Sequence, residues 1–130
     1  MTIFHDVGDT PAIFVYGTLM PGERRWPLLL PYAGSWSEAT APGRLWDTGN
    51  GYPAATFDDE ASEVRGVLVV LTPGVAEEAI RVLDEIEAEG TLYRRRLVIT
   101  SRGSALTYEW LGPTEALALL PGAWERRPHA

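Results

Sequence analysis

The sequence of 130 residues contains no cysteine and no lysine, so that all eleven basic residues are arginine. The absence of cysteine excludes disulfides, thiolate metal sites and cysteine nucleophiles. The absence of lysine excludes a Schiff-base mechanism and a phosphate-binding loop that depends on a lysine. Several common classes of catalytic site are therefore closed to this chain.

Histidine is almost as scarce, because the only two, His5 and His129, lie near the termini. A histidine-based triad or metal site is not expected from residues placed in this way. The acidic run Asp58-Asp59-Glu60 is interpreted as a solvated loop and not as a cation site. We therefore predict no metal and no cofactor.

The chain also lacks any excess of positive charge, since its formal net charge is −7. An acidic protein is a poor candidate for binding nucleic acid or anionic membranes. The one basic triplet, Arg94 to Arg96, falls in a predicted strand, where side chains alternate between faces and form no single patch. No nucleic-acid partner is expected, and the sequence does not decide the oligomeric state.

No apolar run approaches the roughly 20 residues that a membrane-spanning helix needs. Residues 1–6 lack the basic start and the apolar core of a signal peptide. The expected location is therefore the cytoplasm, without a membrane partner.

The length and a hydrophobic content of 45% fit a single domain over residues 1–130, with its core at 12–124. Apolar and β-prone runs predict strands at 12–16, 34–40, 43–46, 64–71, 92–101 and 105–111. Residues 47–62 are predicted to form a long surface loop, and short helical stretches are expected at 26–31 and after Pro113. Strands outnumber helices, which favours an α+β fold around a curled sheet or a small barrel.

The main helix is predicted after the strand at 64–71, with Thr72 as N-cap and Pro73 at the first helical position. It is expected to run to about Glu87 and to stop at Gly90. At about 100° per residue, Glu87 falls inside the apolar stripe, about 40° from Leu83. A carboxylate in an apolar site has a raised pKa, as a general acid or base requires.

Two alternatives to an inward-facing, functional Glu87 stay open at this point. The residue lies close to the helix end, so that it can turn away to solvent or pair with Arg94 or Arg95. Glu85 and Glu89 are rivals in register, although the helical phase places Glu85 on the solvent side and Glu89 beyond the helix.

A second candidate feature is the stretch Tyr16-Gly17-Thr18-Leu19, which follows the first predicted strand and precedes a turn at Pro21-Gly22. A glycine here allows either a close approach of the backbone to a ligand or a positive φ. The amides that follow Gly17 are potential donors to a bound group.

The chain resembles the γ-glutamylcyclotransferase-like family, which includes the AIG2-like proteins. The resemblance covers residues 12–124 and consists of an ordered set of motifs: Tyr16-Gly17-Thr18-Leu19, Gly43-Arg44-Leu45-Trp46, Tyr52-Pro53-Ala54, Val64-Arg65-Gly66, Leu83-Asp84-Glu85-Ile86-Glu87, Tyr93-Arg94-Arg95 and Pro121-Gly122-Ala123-Trp124. In the last motif Ala123 replaces the acidic residue of many members.

The resemblance implies an α+β fold, a small mixed β-barrel of about six strands with one main helix and short flanking helices. It implies a γ-glutamyl cyclotransferase activity that releases 5-oxoproline and a free amine from a small γ-glutamyl substrate. Glu87 matches the catalytic acid/base of the family, and Tyr16, Gly17, Thr18, Leu19 and Tyr93 are the expected substrate-binding residues.

Two other functions remain possible at the level of the sequence. One is a non-catalytic small-molecule binding protein that retains the family cavity. The other is a scaffold protein, for which we would expect a large exposed apolar patch and a collapsed cavity. Within the enzyme reading, the leaving amine is an amino acid, a lysine ε-amine or a biosynthetic intermediate.

Overall fold

The computed structural model describes residues 11–58, 61–87 and 90–124 of the chain. The strands in this part are β1 Ala12–Val15, β2 Ala33–Pro42, β3 Arg44–Asp47, β4 Pro53–Thr56, β5 Glu63–Leu71, β6 Tyr93–Thr100, β7 Gly103–Trp110 and β8 Ala118–Leu120. The helices are α1 Trp26–Leu29, which continues into a 3₁₀ turn at Leu30–Tyr32, and α2 Ala76–Ile86. The α+β class predicted from the sequence is confirmed.

The strands form two sheets. The larger has the order β2-β5-β1-β7-β6 and is mixed, because β1 runs antiparallel to β5 and parallel to β7. The smaller has the order β4-β3-β8 and is antiparallel. Ile13 of β1 lies opposite Val69 on one side and Leu106 on the other, so β1 is central in the larger sheet.

The larger sheet curls until its two edges meet. The Ser101 amide, just after β6, donates to the Thr40 carbonyl of β2 at 2.8 Å. The Thr40 amide donates in return to the Ser101 hydroxyl at 2.9 Å, and Arg102 Nε donates to the Glu38 carbonyl at 2.6 Å. The result is similar to a barrel without complete closure.

Both faces of β1 are buried, which explains why its sequence is a continuous apolar run. Ile13 and Val15 point towards α2 and pack in one core cluster with residues such as Leu83. Phe14 and Tyr16 point the opposite way and pack in a second cluster, which contains residues of the smaller sheet. The central strand thus contributes to the core on both of its sides.

The prediction of a surface loop over residues 47–62 was wrong in its central part. Residues Pro53–Thr56 form β4, which pairs with β3 and is buried at Pro53, Ala54 and Ala55. A proline is tolerated as the first residue of a strand, and small alanines fit between two packed sheets.

The helix expected after Pro113 was also wrong in part, because Ala118–Leu120 is strand β8, paired with β3. These two segments raise the strand number from about six to eight within the described residues.

The N-cap assigned to Thr72 was wrong, since α2 begins at Ala76 after Val75. Gly74 has a φ of 91°, which interrupts a right-handed helix between Pro73 and Val75. The Thr72 carbonyl accepts the Val75 amide in this turn, and the Thr72 amide donates to the Tyr32 carbonyl at 2.8 Å. Glu87 is the C-cap residue, and Gly90 lies beyond the helix end.

No helix within the described ranges is long and apolar enough to cross a membrane.

Glu109 of β7 joins the two sheets through a buried carboxylate. It accepts the Phe57 amide at 2.8 Å and the guanidinium groups of Arg94 and Arg96 at 3.1 Å each. Burial by itself raises the pKa of Glu109, but these donors outweigh burial and lower it. The bond to Phe57 ties the end of the β4 segment to β7, so this carboxylate helps to hold the smaller sheet in place.

Replacement of Glu109 by glutamine is expected to lower the free energy of unfolding by about 1–3 kcal/mol at pH 7, because the variant leaves two arginines without their counterion. Since the pKa of Glu109 is lowered in the folded protein, the stabilisation is present above the unfolded pKa. The stabilisation is lost as the pH falls through the pKa of Glu109 in the folded protein. The difference in free energy of unfolding between the two proteins should therefore shrink in acid. Urea unfolding at pH 7 and pH 4 measures this, and an unchanged difference at both values would contradict it.

Candidate active site

A cavity of about 160 Å³ lies where the C-terminal ends of β1 and α2 meet the smaller sheet. Its wall is formed by β1 and the following turn, the end of α2, the start of β4, and parts of β6 and β7. The lining residues are Phe14, Val15, Tyr16, Gly17, Thr18, Leu19, Arg25, Tyr52, Pro53, Ile86, Glu87, Leu92, Tyr93 and Tyr108.

The six residues singled out in the sequence all line this one cavity: Tyr16, Gly17, Thr18, Leu19, Glu87 and Tyr93. They come from segments that are up to 77 positions apart in the chain, the distance from Tyr16 to Tyr93. The structure shows that these six residues lie close together. Their chemical roles stay predictions.

Glu87 reaches the cavity because α2 is anchored one turn earlier, at Asp84. The Asp84 carboxylate accepts the Tyr108 hydroxyl at 2.7 Å and forms a salt bridge with Arg95. The Glu87 amide donates to the Leu83 carbonyl at 2.9 Å and so continues the helical turn. The side chain of Glu87 is only 13% exposed as a consequence.

Burial raises the pKa of Glu87 from 4.5 to about 7. The guanidinium of Arg25 opposes this rise, with its Nη1 3.6 Å from Glu87 Oε1. Glu87 can therefore both accept and return a proton near neutral pH.

The alternative partners considered for Glu87 are excluded by the observed pairs. Arg94 binds Glu109 and Arg95 binds Asp84, on opposite faces of β6, as the alternation predicted. Glu85 is exposed and pairs with Arg81 at 3.6 Å, in agreement with the helical phase. Glu89, the other rival, lies outside the described residues.

Two tyrosines in the wall donate their hydroxyl hydrogens to backbone carbonyls. Tyr16 Oη donates to the Tyr108 carbonyl, and Tyr93 Oη donates to the Pro53 carbonyl at 2.6 Å. Burial is the main cause that raises the pKa of both phenols, and the nearby Glu87 adds to it. The phenols therefore remain neutral and fix the cavity wall without competing with Glu87 for a proton.

The turn Gly17–Leu19 borders the opposite side of the cavity. Gly17 does not have a positive φ, so that alternative from the sequence is wrong. A glycine is needed at position 17 because a Cβ there would lie only 2.6 Å from Pro53 Cγ. The backbone amides of Gly17, Thr18 and Leu19 donate to no acceptor among the described residues, although the Gly17 and Thr18 carbonyls are both hydrogen-bonded.

Sequence reasoning missed several lining residues, above all Arg25, Pro53 and Tyr108. The alternation of β7 could have placed Tyr108 on the same face as Leu106. Nothing local distinguishes Arg25 from Arg24, since only the tertiary fold brings Arg25 to Glu87. The described part of the chain contains no cluster of three or more potential metal ligands of the histidine, cysteine, aspartate or glutamate type.

We expect the Glu87→Gln variant to be more stable than the unmodified protein at pH 8 by about 1–3 kcal/mol. The folded protein holds the Glu87 proton more tightly than the unfolded chain, so ionisation between pH 4.5 and about 7 costs stability. The gain should therefore shrink towards pH 5, where the carboxyl is protonated in the folded state. Thermal unfolding at both pH values measures the difference.

Glu85→Gln is the matched control, because Glu85 lies on the same helix with a side chain that is 73% exposed. Its effect on stability should be small, because the side chain is exposed and its ion pair with Arg81 lies on the surface. An equal response of the two variants would show that Glu87 is not specially buried.

The sequence and the fold match known proteins. Residues 13–126 match the family model described as gamma-glutamyl cyclotransferase, AIG2-like. The chain is 35% identical over 77 residues to the gamma-L-glutamyl-butirosin B gamma-glutamyl cyclotransferase of Niallia circulans, covering 59% of this chain and 46% of that protein. It thus spans less than half the length of this relative.

Solved structures share the fold. The crystal structure of an AIG2-like protein from Mus musculus is 19% identical, with a TM-score of 0.74 and coverage of 93% of this chain and 92% of that chain. The solution structure of the protein ytfP from Escherichia coli is 27% identical, with a TM-score of 0.57 and coverage of 87% and 95%. Together with the match over residues 13–126, the arrangement of two sheets and one main helix leads to one conclusion: the chain belongs to the γ-glutamyl cyclotransferase, AIG2-like family.

Proposed function

We propose that this protein is a γ-glutamyl cyclotransferase, which converts a small γ-glutamyl amide or peptide to 5-oxoproline and a free amine, with Glu87 as general acid/base. The observation that carries the proposal is the buried Glu87 carboxyl, with a pKa of about 7, in the wall of a small cavity. Membership of the family and the named activity of the relative in Niallia circulans support it.

The proposed reaction needs no nucleophile from the protein, because the α-amine of the substrate attacks its own γ-carbonyl carbon. Ring closure forms a bond between this nitrogen and the carbonyl carbon within one molecule. A cavity that holds the glutamyl chain in a bent conformation replaces an encounter of two molecules by a unimolecular step, which has a large effective molarity. The absence of cysteine and lysine is compatible with such chemistry.

The attacking amine must first lose a proton, because the free α-amino group is an ammonium ion at neutral pH. In the proposed mechanism the ionised Glu87 carboxylate accepts it. With a pKa of about 7, close to the operating pH, a useful fraction of Glu87 is ionised while the proton is still held firmly enough to be returned.

Attack converts the γ-carbonyl into a tetrahedral intermediate with a negatively charged oxygen. We assign the amides of Gly17, Thr18 and Leu19 to bind this oxyanion or the α-carboxylate of the substrate, since they have no acceptor among the described residues. The Thr18 hydroxyl is an additional donor. The side chains of Tyr16, Leu19 and Tyr93 shape the cavity around the glutamyl group.

The intermediate collapses when the bond from its carbon to the leaving nitrogen breaks. Protonated Glu87 then donates its proton to that nitrogen, and the resulting carboxylate takes the second proton from the ring nitrogen. This proton passes to the released amine, which departs as an ammonium ion, so that 5-oxoproline with a neutral ring amide remains. The carboxylate is regenerated, and the protein ends the cycle in its starting state.

The first test is release of 5-oxoproline from a panel of γ-glutamyl amino acids and γ-glutamyl-ε-lysine. The unmodified protein should release it, and Glu87→Gln should reduce the rate by about 100-fold or more, because general acid–base catalysis is lost. Glu85→Gln should retain the rate, since its side chain is exposed and outside the cavity. Binding of a γ-glutamyl compound without release would favour the non-catalytic binding protein instead.

The pH dependence provides a separate test of Glu87. The value of kcat/KM should rise with pH to a plateau, with a midpoint near 7 that reports the ionisation of Glu87 in the free enzyme. Arg25→Gln should move this midpoint to higher pH, because Arg25 opposes the effect of burial on Glu87. A midpoint near the ordinary glutamate value, or one that Arg25→Gln leaves in place, would argue against this assignment.

A further inference from the structure

The cavity is too small to enclose a whole γ-glutamyl peptide. Its volume is about 160 Å³, whereas pockets that enclose small-molecule ligands usually measure about 300–1,000 Å³. Under the proposed function, the glutamyl group fills the enclosed part, where Glu87 and the turn Gly17–Leu19 lie. The leaving amine must then lie at the opening.

The exposure of the lining residues locates that opening. Thr18 and Leu19 are 7% and 6% exposed, whereas the Arg25 side chain is 34% exposed and Leu92 is 40% exposed. Tyr52 and Ile86 are half-buried. The opening thus combines one cation with three apolar or aromatic side chains, and Arg25 is the only basic residue among the lining residues that the structure describes.

The guanidinium of Arg25 has unused hydrogen-bonding capacity. Its contact with Glu87, at 3.6 Å, is longer than the roughly 2.7–2.9 Å of a charge-assisted hydrogen bond. Its N–H groups donate to no other acceptor among the described residues. A guanidinium presents a planar set of donors that matches a carboxylate in a bidentate manner.

We propose that Arg25 binds the carboxylate of the leaving amino acid, and that it selects γ-glutamyl dipeptides with a free C-terminal carboxylate over γ-glutamyl amides and simple amines. This inference rests on the proposed function and names the substrate class within it. The turn amides at the buried end are available to the glutamyl half of the substrate, so the cation at the opening is left for the other half.

The negative net charge of the chain is a further reason to expect a cation where an anionic substrate binds. A γ-glutamyl dipeptide is a net anion at neutral pH, and a protein of net charge −7 repels it on average. Arg25 offsets this repulsion at the opening. The apolar neighbours Tyr52, Ile86 and Leu92 match an apolar side chain on the leaving amino acid.

The experiment compares γ-glutamyl-leucine with γ-glutamyl-leucinamide, which differ at one group, a terminal carboxylate in the acid and a neutral carboxamide in the amide. The unmodified protein should show about tenfold or greater preference for the acid in kcat/KM, a typical effect for a partly exposed charge-assisted contact. Arg25→Gln should lower kcat/KM for the acid and remove most of the preference.

Arg24→Gln is the matched control, because Arg24 is adjacent in sequence but contacts the Gly51 carbonyl on the surface, at 3.4 Å. It should keep the preference. Equal activity of the unmodified protein on acid and amide would overturn the inference while leaving the cyclotransferase function intact. Proportionally equal losses on both substrates in Arg25→Gln, measured at a pH above the Glu87 midpoint of both proteins, would also overturn it, because the preference for the acid would then not depend on Arg25.

Calorimetric binding of the same two compounds separates failure of the inference from failure of the proposed function. Tighter binding of the acid that depends on Arg25, without release of 5-oxoproline, would support the inference and refute the catalytic function. Binding of the acid and the amide with equal affinity, or of neither, would overturn the inference whatever the activity.

Discussion

The position of α2 on the larger sheet is the constraint on which the candidate site depends. The helix is held by its apolar stripe, including Ala79 and Leu83, and by Asp84, which is bound to Tyr108 and Arg95. Because Glu87 follows Asp84 by three residues, it lies on nearly the same side of the helix. With Asp84 docked on the sheet, the side chain of Glu87 is only 13% exposed, and it lies 3.6 Å from the guanidinium of Arg25.

The junction between the two sheets supplies the rest of the wall. Gly17 accommodates Pro53 at a distance that no Cβ would permit, and Tyr93 donates to the Pro53 carbonyl from the opposite side. Glu109 holds the Phe57 amide at the other end of β4. Strand β4 is therefore fixed at both ends. The cavity has a defined shape because these contacts are hydrogen bonds and hard van der Waals limits, and not flexible side chains.

The energetics of Glu87 connect stability with the proposed chemistry. A buried carboxyl with a pKa of about 7 destabilises the folded protein above that pH, yet this same displacement makes it an effective acid/base near neutrality. Arg25 reduces the cost without removing it, since its guanidinium is partly exposed and contacts Glu87 at 3.6 Å. The pair is loose enough for a substrate carboxylate to compete for the arginine, as the inferred leaving-group specificity requires.

Much of the fold and the candidate site was predictable because it depends on local periodicity. The inward phase of Glu87 on α2 and the alternation of Arg94 and Arg95 on β6 follow from repeats of 3.6 and 2 residues, and β1 is a continuous apolar run that indicates a buried strand. By contrast, β4 is a short segment of small residues whose strand character comes from pairing with β3 and burial between sheets. Thr72 has the ordinary chemistry of an N-cap, but Gly74 and the bond from Thr72 to Tyr32 move the helix start to Ala76. The sequence by itself determined the fold class and the face on which Glu87 lies, since both reside in the order of residues along one element. Only the tertiary structure decided that Arg25, Pro53 and Tyr108 share a cavity with Glu87, because contacts between distant segments depend on how sheets and helix pack and leave no periodic mark in the chain.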